Sequence, residues 1–91
     1  MLLLISYDLV TNNRPSNYAA LEAAIKAAAT EALHPLYSQW LVETDEDVEA
    51  WGKRLTPLLK SEDRLLIVRV QGPVNGWLPK PNWEWINEHQ S

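Results

Sequence analysis

The chain has 91 residues, 46% of them apolar and 22% charged, with a formal net charge of −4 and no cysteine. This composition excludes a disulfide framework and a thiolate zinc site, and it disfavours a broad basic grip on nucleic acid, which depends on Lys and Arg displacing condensed counterions. Residues 1–91 make one expected domain, of a size where folding buries only about 60–65% of the unfolded surface, so a second copy would help to stabilise it. No stretch suggests disorder, a repeat, a leader or a membrane span, and the expected setting is cytoplasmic.

The opening run Leu2-Leu3-Leu4-Ile5-Ser6-Tyr7-Asp8-Leu9 reads as a central strand buried on both faces. By the strand period of two, Leu2, Leu4, Ser6 and Asp8 share one face, and Leu3, Ile5, Tyr7 and Leu9 share the other. Asp8 is the anomaly in this run. A carboxylate taken from water without a partner costs several kcal/mol, so Asp8 is either a turn residue that accepts backbone N–H groups or a metal ligand.

Thr11-Asn12-Asn13-Arg14-Pro15 reads as a polar turn, with Ser16 as the N-cap of a first helix. Tyr18, Leu21, Ile25, Ala28 and Ala32 then recur at helical spacing, and Pro35 predicts an end near Leu33. Residues 36–43 are rich in aromatic and apolar side chains and predict a strand, straight or bent. Thr44-Asp45-Glu46-Asp47 predicts the start of a second helix, with the Thr44 hydroxyl reaching forward and the acidic charge favourable at the dipole's positive end. Val48, Trp51, Leu55 and Leu58 form its expected buried stripe, and Pro57 predicts a kink or an end at Thr56. Arg64-Leu65-Leu66-Ile67-Val68-Arg69-Val70 predicts a second apolar strand beside the first in the middle of a sheet. Asn75-Gly76 favours a hairpin turn within 71–78, and Asn82 is placed to cap a short helical turn over 83–89.

These elements predict an α+β, ferredoxin-like (βαββαβ) domain with a core over 2–70 and a small C-terminal hairpin and Trp-rich extension over 71–91. Two helices would cover one sheet face. The other face would stay open and pack against a second copy, with Ser6 and Asp8 on the dimer side. Arg14, Lys53, Arg54, Lys60, Arg64, Arg69 and Lys80 are scattered and read as ordinary surface charge. His34 and His89 lack the paired spacing of a metal site or an acid–base dyad and read as structural or solvent-facing.

A strand ending Ser6-Tyr7-Asp8-Leu9, a helix, a strand containing Tyr37-Ser38-Gln39-Trp40, a capped second helix and a closing strand together resemble the CRISPR-associated protein 2 family over residues 2–70. In outline they are also similar to the virulence-associated protein D toxins. The resemblance implies a homodimer in which the two Asp8 carboxylates face each other and hold a bridging Mg²⁺, making the chain a small metal-dependent endoribonuclease or DNase. It further implies that Ser6 and Ser38 contact phosphate or the metal's surroundings, and that Arg14, in the loop where the family carries basic residues, stabilises phosphate charge. The alternative is a non-catalytic dimeric adaptor or regulator that holds partner proteins in a defence or toxin–antitoxin system. Its motive is the acidic charge and the tail containing Trp77, Trp83 and Trp85.

Overall fold

The computed structural model describes residues 1–9 and 14–90, with the backbone alone for residues 14–17. Its elements are β1 (Leu2–Asp8), α1 (Arg14–Ala28), β2 (Glu31–Leu36), β3 (Gln39–Glu43), α2 (Val48–Leu55), β4 (Arg64–Arg69) and α3 (Lys80–His89), with a 3₁₀ turn at Thr56–Leu58 after α2. The strands form one antiparallel sheet in the order β2-β3-β1-β4.

The strand periodicity of β1 sorts its side chains as the alternation predicts. Leu3, Ile5, Tyr7 and the following Leu9 pack with Tyr18, Leu21 and Ile25 of α1, Trp40 and Val42 of β3, and Trp51 and Leu55 of α2. Leu2 lies on the opposite face, where it meets Leu41 of β3 and Ile86 of α3. The sheet therefore carries two separate apolar clusters, the larger under α1 and α2 and the smaller under α3.

The expected helix from Ser16 to Leu33 is corrected at both ends. α1 begins at Arg14, so Ser16 lies within it, and it stops at Ala28. Glu31, Ala32 and Leu33 instead pair with Glu43, Val42 and Leu41. Ladder formation with β3 overrides the helix preference of this alanine-rich stretch. The expected single strand over 36–43 is a hairpin that turns at Tyr37-Ser38. Pro35 sits in an edge strand, where the register shifts between Leu33 and Leu36 and a missing N–H costs no ladder bond. Of the expected turn over 11–15, residues 11–13 lie outside the described residues, and Arg14 and Pro15 belong to α1 instead.

Asp47, rather than Thr44, caps α2, its Oδ1 accepting the Ala50 N–H at 2.9 Å. The Thr44 hydroxyl does reach forward, accepting the Glu46 N–H at 3.1 Å and the indole N–H of Trp51 at 3.1 Å. Trp51 and Leu55 are buried, but Val48 is 39% exposed and Leu58 47% exposed, against expectation. A helix of eight residues touches the core over little more than one turn, and Val48 and Leu58 lie beyond that contact. The α-helix gives way at Thr56, as Pro57 requires.

β4 lies beside β1 as predicted, but it forms the edge of the sheet and not its middle. Leu66 and Val68, paired with Ser6 and Leu4, stand exposed on the α3 side. The predicted ribbon over 71–78 is absent: residues 71–79 connect β4 to α3 without strand pairing, and Gly72 takes a positive φ of 81°. Two prolines in this stretch remove donors that a hairpin ladder would use. Asn82 lies inside α3, and Pro79 occupies the N-cap position. The face expected to be uncovered is thus partly covered by the chain's own C-terminal helix, because Trp83, Trp85 and Ile86 bring enough apolar surface to cover Leu2 and Leu41.

Candidate functional site

At the C-terminal end of β1 lies a cavity of about 490 Å³. Ser6 and Asp8 reach its wall from β1, Tyr37 and Ser38 from the β2–β3 turn, Arg64 and Leu66 from β4, and Tyr18 from α1. Three of the four expected site residues, Ser6, Asp8 and Ser38, are therefore brought to one place. For the fourth, Arg14, only helical backbone is described.

Backbone pairing positions each group. The Tyr7 N–H donates to the Ser38 carbonyl at 3.1 Å, tying the hairpin turn to β1 between Ser6 and Asp8. The Ser6 hydroxyl accepts a bond from the Gln39 side-chain amide at 3.4 Å. Asp8 is exposed and stands opposite Arg64 in the antiparallel register of β1 and β4. The Arg64 guanidinium donates through Nη1 to the Asp63 carbonyl at 3.0 Å and the Ser61 carbonyl at 3.4 Å. These bonds orient the guanidinium and leave its remaining N–H groups for other partners. Asp63 is itself buried, accepting the Lys60 N–H at 2.9 Å, so the loop that aims Arg64 is internally braced.

By sequence alone Arg64 is one of the scattered surface charges. Nothing local in its sequence marks it out, since its place beside Asp8 depends on which residues of two strands 56 positions apart fall opposite one another. The one signal available in the sequence is its position at the entry of an apolar strand.

Tyr7, adjacent to Asp8 and in the wall of the same cavity, has its hydroxyl engaged by core partners. Its hydroxyl accepts the Trp40 indole N–H at 2.9 Å and donates to Glu22 at 3.4 Å. Burial, partly offset by the Trp40 bond, pushes the phenol well above its ordinary range, so it stays neutral at accessible pH. Its role is structural, which the flanking rings support: Tyr18 lies 5.6 Å from Tyr7 and 5.1 Å from Tyr37, centroid to centroid. A Tyr7→Phe variant is expected to lose about 1–3 kcal/mol of stability in urea denaturation, because the buried Trp40 N–H is left without its acceptor.

His34 lies outside the cavity lining and stacks on Trp40 at 4.1 Å, as a structural reading requires. Among the described residues no group of three or more His, Cys, Asp and Glu side chains is placed to hold a metal ion. No helix among the described residues is long and apolar enough to cross a membrane.

Fold and site together define a small α+β protein, with a four-stranded antiparallel sheet, three α-helices among the described residues, and a polar cavity at one sheet end. No protein-family model matches the chain, and no curated protein matches it in sequence. Among solved structures it is similar to the crystal structure of a hypothetical protein TT1823 from Thermus thermophilus, with 27% identity and a TM-score of 0.52. The match spans 86% of this chain and 93% of that one.

Proposed function

We propose that the chain is a homodimeric, Mg²⁺-dependent nuclease of ferredoxin-like (βαββαβ) fold, resembling CRISPR-associated protein 2, with the Asp8 carboxylates of two copies facing each other. The sheet order β2-β3-β1-β4, with α1 and α2 on one face, supports the fold reading. The observation that carries the functional reading is the meeting of Asp8, Ser6, Ser38 and Arg64 around one cavity at the sheet's open end.

The donor set fits a metal only when two copies meet. Among the described residues that line the cavity, one chain offers the Asp8 carboxylate with hydroxyl neighbours, whereas Mg²⁺ is usually held by one or two carboxylates together with water and substrate phosphate oxygens. Two Asp8 side chains across a two-fold axis would supply that set, and their mutual repulsion when ionised favours a cation between them. When bound, the ion supplies positive charge for a phosphodiester and acidifies water. Arg64 is aimed to share the phosphate charge through its free N–H groups, and Ser6 and Ser38 offer hydroxyl donors to phosphate oxygens. A chain of net charge −4 would engage a short stretch of backbone and not a long duplex.

The test is cleavage of single- and double-stranded RNA and DNA oligonucleotides, with Mg²⁺ and with EDTA. Asp8→Asn keeps the side chain's size and removes its charge, so the cleavage rate is expected to fall by about 100-fold or more, to the level seen with EDTA. Equal cleavage by variant and wild type would sink the proposal. A wild type that leaves every oligonucleotide intact would favour the second reading, a dimeric adaptor. Its support is Trp77, which stands 98% exposed beside an apolar cavity of about 470 Å³ lined by Leu4, Leu36, Val74 and Trp83.

A further inference from the structure

The last residue of α3 makes contacts that only one of its protonation states can satisfy. His89 Nδ1 lies 2.7 Å from the carbonyl oxygen of Trp85, and Nε2 meets the Glu31 carboxylate at the start of β2. Both partners are acceptors. A neutral imidazole carries one N–H and can donate to one of them, whereas the imidazolium donates to both. We propose that His89 is a proton-operated latch, which fastens the C-terminal helix across the sheet when the imidazole is charged and loosens it when the proton leaves.

The surroundings favour the charged form. The side chain is only 14% exposed and stacks on Trp85 with ring centroids 4.0 Å apart. From β2 it faces Glu31, and from β3 the charge of Glu43, which is itself paired with the N-terminal ammonium of Met1 at 2.7 Å. Burial alone would lower the affinity of His89 for its proton, but the Trp85 carbonyl, Glu31 and Glu43 outweigh it, and the group titrates above its ordinary value. A cation at the last turn also suits the negative end of the α3 dipole.

The latch holds an element that can leave without dismantling the core. α3 rests on the smaller cluster of Leu2, Leu41 and Ile86, while Tyr7, Trp40 and Trp51 pack on the other face. The connection over 70–79 has no regular secondary structure, and besides the small cluster a non-titrating tie, from the Gln90 amide to the Gly72 carbonyl, reinforces the docking. Release would expose Leu2 and Leu41, extending the open sheet face beside Leu66 and Val68. The latch stands on His89 and its partners, whether or not Asp8 serves in catalysis.

The sign follows from the raised proton affinity. Below about pH 6.5 the imidazole is charged in both docked and released chains and the latch contributes fully; its contribution fades as pH rises through the higher value of the docked state. NMR titration of the two histidines, combined with hydrogen exchange of residues 80–90 corrected for intrinsic rates, tests this. His89 is expected to titrate above 6.5, and Glu31→Gln to bring its midpoint down. α3 amides should lose protection over the same pH range, about tenfold for each tenfold by which docking raises proton affinity, with β1 amides unchanged. His89→Gln should leave α3 equally weakly protected at every pH. A His89 midpoint at or below 6.5, or α3 protection independent of pH in the wild type, would overturn the latch.

Discussion

Replacing Trp51 with alanine is expected to lower the free energy of unfolding by about 3–5 kcal/mol, seen as a lower urea midpoint with little change in slope. Trp51 is fully buried at the centre of the larger cluster, one turn into α2. Its removal has three costs. A cavity opens between α2 and the sheet, and the buried Thr44 hydroxyl loses the indole N–H that donates to it at 3.1 Å. The Arg54 guanidinium, 4.8 Å from the ring centroid and paired with Glu46 at 2.7 Å, also loses the surface on which it stacks. A chain of this size has about 5–14 kcal/mol of stability in all, so the variant should sit near the edge of folding. A loss under about 1 kcal/mol would mean that α2 contributes little to the cooperative core.

Ile86→Asp is expected to have the second largest effect, confined to the other face. Ile86 is buried against Leu2 and Leu41, and a carboxylate there without a cation would cost several kcal/mol. Burying three such side chains is worth about 1.5–3 kcal/mol each at most, so undocking α3 is the less costly response to the charge. A freed helix of ten residues is marginal in water and should melt. Far-UV circular dichroism should therefore lose helix signal and an apolar dye should bind the uncovered face, while β1 and β3 amides stay protected. Global unfolding of the variant would show instead that the two clusters form one cooperative unit.

These expectations separate along the sheet, and the same division governs what could be read before the fold was known. The alternation in Leu2–Asp8 was legible because strand periodicity is local: each side chain's face follows from its neighbours two positions away. The start of α2 was legible for a similar reason, since Asp47 bonds to Ala50 only three residues on. The end of α1 was not. Ala32 and Leu33 satisfy a helix stripe and a strand ladder equally well, and the pairing with Leu41 and Val42 decides between them. Likewise the apolar run of β4 looks the same in an edge strand as in a central one, because its composition does not say how many neighbours it has.

The candidate site divides in the same way. Asp8 stood out because a carboxylate at the end of an apolar strand is unusual by itself, and Ser6 followed from the period of two. Arg64 joins them only through the β1–β4 register, and His89 meets Glu31 across 58 positions of chain. What the sequence determined alone was the set of short-range choices: strand faces, helix starts, proline breaks and one conspicuous carboxylate. The tertiary structure decided which strand ends lie together, which edge stays open, and that α3 folds back over a face that local pattern left bare. The physical reason is that long-range pairing is set by the competition of all apolar surfaces for burial, and no window of neighbouring residues contains that competition.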